Sequence, residues 1–474
     1  MLNRGRPILP VVLTALAVGL LCVGLPGLAK PPPPPPPPAT PQYKVLDLGV
    51  MDFYPDPVMN DQGQVACMAY NGLLQEVVVI TPRDSNGDGF WDSVSKLTIE
   101  MPDLAWFVTS LGLDGDQALE MDSLNFSNVR IGKGGVVSGT ITGYVYSRID
   151  EEWYYEFYRG FVVKPADSTG DGINDVPLTD LGVGEVHLGD GGIECFLSTS
   201  VLDMNESGCI VGYISTFHYD ATGRPVYAED TNHAFRIVPK DTNGDGIGDT
   251  WFEDTDPADG VNDLIELLGA SGSLAIAVDD AGRVYVSNQD GSGFVVFPDG
   301  YESKTKSSLD QMWIAAGNSG GLAVGSYRTG RTFRGGSYTF PVQAPCLIQG
   351  LDTGGVIGPD LWFRDANNDG KNDLMVKLGT LSGYTDESKA VAVNDGGEIV
   401  GYGVSSTSKN GWVYRALIWK NRVAVDLNTL ISQPGVVLRE ASAITQTGAI
   451  TQKGAILCGG TDAAGAWHGY LLMP

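Results

Sequence analysis

The chain has 474 residues, among them 63 glycines, 27 prolines and 4 histidines. Its 30 basic residues stand against 57 acidic ones, a formal charge of −27. That balance excludes nucleic acid as an expected partner, because phosphate binding needs clustered cations, and the scarcity of His with no Cys-x-x-Cys pair argues against zinc.

Arg4 and Arg6 precede an apolar stretch from Ile8 to Leu25, and Gly27-Leu28-Ala29 offers the small residues of a cleavage site. This is the layout of a secretory signal peptide over residues 1–29. An uncleaved anchor is the alternative, since the stretch is long enough to span a bilayer, but Pro10 and Pro26 interrupt it. Leu20 and Leu21 before Cys22 disfavour a lipoprotein anchor. The protein is therefore expected outside the cell or at its envelope, with no membrane span after cleavage. Residues 30–42 read as a Pro-rich linker. Pro31 to Pro38 would form a polyproline II spacer of roughly 25 Å.

Residues 43–474 carry short Val/Ile/Tyr/Phe runs punctuated by Gly, Asn and Asp, and no long helical periodicity. Many short strands and tight turns are expected, hence an all-β fold. The stretch is too long for one ordinary core, so it is several domains or one repetitive architecture.

A repeat decides between these. One element is a turn leading into an apolar strand, and it recurs seven times. The copies are Asn60-Asp-Gln-Gly63, Gly132-Lys-Gly-Gly135, Asn205-Glu-Ser-Gly208, Asp280-Ala-Gly282, Asn318-Ser-Gly-Gly321, Asn394-Asp-Gly-Gly397 and Thr451-Gln-Lys-Gly454, each with its following strand. A second element lies downstream, as in Gly160-Phe-Val-Val163, His233-Ala-Phe-Arg-Ile-Val238, Gly293-Phe-Val-Val-Phe297, Arg415-Ala-Leu-Ile-Trp419 and His468-Gly-Tyr-Leu-Leu472. A third closes several units, as in Leu178-Thr-Asp-Leu-Gly182, Val376-Lys-Leu-Gly-Thr-Leu381 and Val425-Asp-Leu-Asn-Thr-Leu430. The last unit stops after its second element, and Val45-Leu-Asp-Leu-Gly49 supplies the missing third from the other end. A unit split between the termini suits a closed ring, where the split locks the circle. The expected fold is an all-β, seven-bladed β-propeller over residues 43–474, its last blade closed by the N-terminal strand. Another β-repeat array and separate β-domains are the alternatives.

These elements resemble the HAF repeat of bacterial extracellular proteins, whose His-Ala-Phe triplet stands here as His233-Ala234-Phe235. The closest full unit is Asn394-Asp-Gly-Gly-Glu-Ile-Val-Gly-Tyr402 with Arg415–Trp419 and Val425–Leu430. The resemblance covers most of the chain after the prolines and only one unit keeps the triplet. It implies an exported β-repeat protein and no particular activity.

Four loops carry the sharpest chemical pattern. They are Asp84, Asn86, Asp88 and Asp92; Asp167, Thr169, Asp171 and Asp175; Asp241, Asn243, Asp245 and Asp249; and Asp365, Asn367, Asp369 and Asp373. Oxygens at positions 1, 3 and 5, a Gly at 6, a carbonyl at 7 and an acid at 9 make an oxygen-only cage suited to Ca²⁺. About four structural calcium sites are expected. Position 12 holds Ser95, Leu178, Phe252 or Val376, so these are not EF-hands, and the spacing is similar to the calcium loops of integrin-type and thrombospondin type 3 repeats. Metal-free Asp/Asn/Gly turns are the alternative. A degenerate fifth copy runs from Asp254 to Asp263, and a decayed one from Asp352 to Asp360.

No catalytic residue is assigned. His233 and His468 share a strand position with Arg415, which fits packing better than general-base chemistry, and His187 and His218 lack a patterned nucleophile. The aromatic run Trp153–Tyr158 could stack on sugars but reads more simply as an outer strand. Five cysteines follow the signal, Cys67, Cys195, Cys209, Cys346 and Cys458, an odd and dispersed set that makes buried thiols as natural as bridges. The expected role is a binding or structural scaffold for a protein or polysaccharide partner. The alternative is a carbohydrate-active hydrolase or lyase, which acids clustered at one end of the channel would favour.

Overall fold

The computed structural model describes residues 42–51, 57–71, 74–102, 124–146, 154–182, 196–219, 225–226, 232–256, 261–335, 338–354, 360–408, 411–446 and 454–474. The signal peptide, nearly all of the linker, Cys195, His187, Trp153 and the turn at Thr451 lie outside them. The described residues form one compact unit within Thr40–Pro474. Among the described residues no helix is long and apolar enough to cross a membrane.

The chain is built from antiparallel sheets that follow one another in sequence. After β1 (Lys44–Val50), the first sheet is β2 (Val58–Met59), β3 (Val65–Asn71), β4 (Leu74–Arg83) and β5 (Ser93–Ile99). The second is β6 (Leu124–Ile131), β7 (Val137–Tyr146), β8 (Tyr154–Val163) and β9 (Thr179–Asp180). In the third, β10 (Phe196–Met204) and β11 (Ile210–Tyr219) carry the small β12 (Pro225–Val226) on β11, then β13 (Asn232–Ile237) and β14 (Ile265–Leu268). The fourth is β15 (Ser273–Val278), β16 (Val284–Asn288), β17 (Gly293–Val296) and β18 (Glu302–Lys306).

An eight-stranded sheet follows, and it has two halves. One half is β19 (Met312–Gly317), β20 (Leu322–Gly335), β21 (Tyr338–Gln349) and β22 (Met375–Lys377). The other is β23 (Glu387–Val393), β24 (Ile399–Ser408), β25 (Gly411–Lys420) and β26 (Val423–Asp426). The halves join through a single parallel pair, Gln343 with Glu387. Last come β27 (Val437–Ile444), β28 (Ile456–Thr461) and β29 (Trp467–Met473), with β1 added on the free edge of β29. The register runs from Lys44 opposite Met473 to Val50 opposite His468. The first strand of the described chain thus completes the last sheet.

The first two sequence elements are the second and third strands of each four-stranded set, and the third element, in the units that carry it, is the fourth strand. The first strand, lying before the Asn-Gly turn, escaped the reading. It often carries a bulge, as between Val201 and Asp203 and between Ala390 and Ala392. The bulge drives a carbonyl toward the partner strand, which explains the Gly ending the first element. A Cβ on Gly212 would sit 1.9 Å from the Ser200 carbonyl oxygen, and one on Gly401 2.0 Å from that of Lys389.

Apolar cores lie between consecutive sheets. Val77, Val79 and Ile99 of the first meet Phe126, Ile141 and Phe161 of the second. Phe235 and Trp251 of the third meet Val162 and Leu181 of the second. Within the eight-stranded sheet, Val324 and Leu347 of one half pack on Ala390 and Leu417 of the other. The circuit closes where Leu48, Leu457, Leu471 and Met473 of the last sheet meet Val65, Ile80 and Trp91 of the first. Burying such side chains contributes about 1.5–3 kcal/mol each, so these interfaces hold the sheets in order.

Hydrogen bonds repeat the same circuit at the turns. The Asn60 amide nitrogen donates to the Gly132 carbonyl (2.8 Å), Asn205 to that of Asp279 (2.9 Å), Asn318 to that of Asn394 (2.7 Å) and Asn394 to that of Thr445 (3.2 Å). Each of these Asn residues also accepts, through Oδ1, the amide four residues on, which shapes its own turn. Where Asp279 replaces Asn, Arg283 makes the link by donating to the Asn318 carbonyl (2.7 Å). The Lys133 amide reaches the Glu206 carbonyl, and the Gln446 amide returns to the Asp61 carboxylate (2.8 Å). Successive four-stranded sheets, faced together and closed by the terminal strands, make a propeller-like all-β fold.

Candidate functional site

The four acidic loops fold alike. In each, the carboxylate at position 1 accepts through Oδ2 the amide of the residue at position 6: Gly89 to Asp84 (2.8 Å), Gly172 to Asp167 (2.9 Å), Gly246 to Asp241 (2.8 Å) and Gly370 to Asp365 (2.9 Å). In three of them the position-3 amide oxygen, Asn86, Asn243 or Asn367, accepts from residue 5 at 2.9 Å. Thr169 instead donates its hydroxyl to Asp167 (3.3 Å). Position 5, Asp88, Asp171, Asp245 or Asp369, accepts from residue 7. Such tight nesting requires left-handed backbone at positions 4 and 6, supplied by Gly87 and Gly89 in the first loop and by Asn368 and Gly370 in the last.

The position-9 acid has a partner the sequence reading missed. Residue 2 donates its amide, and where it is Ser or Thr its hydroxyl as well. Ser85 holds Asp92, Ser168 holds Asp175 and Thr242 holds Asp249, while Ala366 gives Asp373 its amide alone. The clip survives in the degenerate copies, as Thr255 on Asp263 and Thr353 on Asp360. Hydrogen bonds from these hydroxyls hold the Asp92, Asp175 and Asp249 carboxyls below the usual range, so they stay ionised. Ser or Thr after the first Asp was the signal available in the sequence.

Among the described residues, no group of three or more His, Cys, Asp or Glu is gathered closely enough to hold a metal ion. Each loop is a hydrogen-bonded turn whose carboxylates keep accepting capacity, since each ionised carboxylate offers about four lone-pair sites. The donor set expected at positions 1, 3, 5, 7 and 9 is all oxygen and matches a hard cation in type.

Each loop also leans on the sheet before its own. Lys44 of β1 lies over the Phe90 ring and 3.7 Å from Asp88. In the second loop Thr98 of β5 donates to Gly172 (2.9 Å) and accepts from Asn174 (2.8 Å). Ile247 of the third loop packs toward Gly134 in the turn of the second sheet. In the fourth loop Asn372 donates to the Thr305 carbonyl (2.6 Å) and accepts from its own neighbour Leu374 (2.9 Å). Its degenerate relative does likewise through Asn262 and the Leu181 carbonyl (2.8 Å).

A second constellation lies where the Asn turns converge. The Asp61 amide donates to Glu206 Oε1 (2.7 Å), the Glu206 amide to Asp280 Oδ1 (3.1 Å), and the Ser319 amide to Asp395 Oδ1 (2.9 Å). Gln446 binds Asp280 through its side chain (3.2 Å) and Asp61 through its amide. Desolvation, then the charge of Asp61, pushes the Glu206 carboxyl up to about 8. Desolvation also raises Asp61 to about 6, with Asp280 and Asp395 adding to it. Sequence reasoning missed this cluster because its members lie in separate repeats.

The remaining candidates are quieter. His468 is held between Asp47 (2.8 Å) and Asp462 (3.7 Å) at the closing strand, and burial lowers His233. Cys67, Cys209, Cys346 and Cys458 are free and buried. His218 lies in β11, and Tyr154–Tyr158 begin β8, where they pair with β7, while β9 pairs only with Phe161 and Val162.

No family model matches the chain, and no curated protein does. Two solved structures are similar at a distance. A protein of unknown function from Dyadobacter fermentans aligns over 74% of this chain and 95% of its own, at 10% identity and a TM-score of 0.31. The α-L-arabinanase of Cellvibrio cellulosa aligns over 78% of this chain and 97% of its own, at 11% identity and a TM-score of 0.24.

Proposed function

We propose that this protein is a secreted, calcium-stabilised seven-bladed β-propeller that serves as a binding or structural scaffold at the cell surface or beyond it. The eight-stranded sheet, held together by one parallel pair, counts as two blades, which brings the total to seven. The observation that carries the calcium reading is that four loops of one pattern adopt one hydrogen-bonded form and each touches the neighbouring sheet. A cation drawn to their carboxylates would neutralise charge and lock blade to blade, through a gain in stability that follows from binding only the folded state. Export rests on the signal pattern of residues 1–29.

The test is a thermal melt of the mature protein in millimolar calcium and then in excess chelator, with a count of bound metal. A large fall in melting temperature and about four ions per chain are expected for the four acidic loops. No metal and no shift would sink the calcium reading.

A second reading, a hydrolase or lyase at the channel, is favoured by the carboxylate cluster of Asp61, Glu206, Asp280 and Asp395. A carboxyl raised by burial, as Glu206 is, beside other carboxyls is the pattern of general acid–base work. It ranks second because these oxygens bind the amides of other turns. Asp280 and Gln446, from sheets that are not neighbours, also meet across the axis. Turnover of a polysaccharide that Glu206→Gln abolishes would reverse the order.

A further inference from the structure

Two neighbouring hairpins depart from the acidity of the molecule. The β20–β21 stretch, residues 322–349, contains three arginines and no Asp or Glu. The β24–β25 stretch, residues 399–420, contains Lys409, Arg415 and Lys420 and again no acid. Of these cations Arg328 and Arg331 are exposed, while Arg415 lies 3.7 Å from Asp426 and Lys420 donates to Gln42.

Shape accompanies charge. The β20 strand has 14 residues and β21 has 12, and the hairpin runs on past its pairing with β19, which ends at Tyr327 opposite Met312. The ladder breaks between Arg328 and Thr332, where Gly330 takes φ 76°. A bulge of this kind bends the hairpin and re-aims its side chains. Arg331 is exposed there. Arg328 lies 4.8 Å from the ring centre of Trp313, which is 41% exposed. Beyond the bulge, Phe333 stands opposite Phe340, their rings 5.6 Å apart and nearly parallel. Trp412 of the next hairpin meets both edge-on, at 5.2 and 5.4 Å. All three rings are partly exposed, and the hydroxyl-bearing Thr332 and Thr339 beside them are exposed.

We propose that these paired hairpins bind an acidic polysaccharide, with sugar rings on the Phe333–Phe340–Trp412 cluster and uronate carboxylates at Arg328 and Arg331. The inference rests on the scaffold reading above and names its partner class. Guanidinium is planar and grips carboxylate through paired hydrogen bonds, and it keeps its charge at any working pH. Rings braced against one another offer a rigid apolar platform with little rotamer freedom left to lose. A uronate chain spaces its charges one per sugar, which two or three arginines match. A phosphate-dense polymer or an anionic bilayer would meet the field of the surrounding acids with too few cations to overcome it.

The test uses the mature protein in calcium and short oligogalacturonate, with its methyl-esterified form as the uncharged control, by titration calorimetry. The acidic oligomer is expected to bind at least ten-fold more tightly than the ester, and more weakly as salt rises. Arg331→Glu is expected to weaken binding at least ten-fold, and Trp412→Ala to weaken acid and ester alike. Val423→Ser, an exposed site on another hairpin, leaves binding unchanged. The calcium-dependent melt of each variant is recorded in parallel. Equal binding of acid and ester, or no binding while the calcium shift is intact, overturns this proposal alone. Adsorption to phosphatidylglycerol vesicles without oligomer binding also overturns it. Absence of the calcium shift in the parent protein sinks the calcium reading above instead.

Discussion

Asn372 donates its side-chain amide to the Thr305 carbonyl at 2.6 Å and to the Trp362 carbonyl at 2.7 Å, tying an acidic loop to the last strand of the preceding sheet. The same residue accepts the Leu374 amide, and it is buried. Asn372→Ala leaves these groups unmatched and removes no expected calcium oxygen. A loss of about 2–4 kcal/mol in a denaturant titration is expected, with the number of bound ions unchanged. A fall in metal count would place Asn372 among the ligands.

The closing strand gives a second test. Leu48 is 2% exposed, in the core shared by the last and first sheets with Met473, Leu471 and Val65. Leu48→Asp places an unpaired carboxylate there, and a loss of more than about 3 kcal/mol is expected. Light scattering is expected to show association as well, because freeing β29 exposes an unpaired edge. A stable monomer would mean that β1 does not hold the ring shut.

The turn cluster predicts a pH dependence. Glu206 sits at about 8 in the folded protein, above its unfolded value of about 4.3. The folded state therefore holds the proton through that window. Its stabilising contribution is complete below the unfolded value and is lost as pH rises through about 8. Asp61 acts in the same sense up to about 6. The charged or polar groups facing them are Asp280, Asp395, Gln446 and Lys133. The urea midpoint is expected to fall on going from neutral to mildly alkaline pH, and Glu206→Gln to flatten that slope. An unchanged slope in the variant would remove Glu206 as its cause.

Gly401→Ala tests the bulge. The added Cβ would lie 2.0 Å from the Lys389 carbonyl oxygen and 3.2 Å from Ala390 Cα, both on the backbone of β23. Backbone cannot step aside as a flexible side chain does, so a cost of about 3 kcal/mol or failure to fold is expected. Gly397→Ala makes a useful comparison: its Cβ meets nothing within 4 Å, and its strain comes only from φ 74°. The smaller loss is expected there.

Thiol chemistry checks the interior. Cys67, Cys209, Cys346 and Cys458 are buried without disulfides, and burial pushes the Cys67 thiol up to about 11 and the Cys209 thiol to about 12. A thiol-specific chromophore is expected to leave these four unlabelled in the native protein and to label them in denaturant. Reductant should leave their contribution to the melting temperature unchanged. Rapid native labelling of any of them would contradict the packing.

The strand class, the repeating turn, the acidic loops and the closing segment Val45–Gly49 were legible in the sequence because each is local chemistry. Asn or Asp beside Gly marks a left-handed turn, apolar runs mark the strands after it, and evenly spaced oxygens mark a loop. The first strand of each set was not legible. Segments such as Phe196–Met204 mix Ser and Thr with apolar residues, and their bulges break the period of two.

By itself, then, the sequence determined which residues turn, which extend, and that one unit is split between the termini. Only the tertiary structure decided that Asn60, Asn205, Asn318 and Asn394 reach into the next turn, and that Asp61, Glu206 and Asp280 converge. It alone also decided that Phe333 and Phe340 meet Trp412. Those contacts join residues 51 or more positions apart. They exist because strand register and closure of the sheets carry distant side chains to one place, which no local pattern encodes.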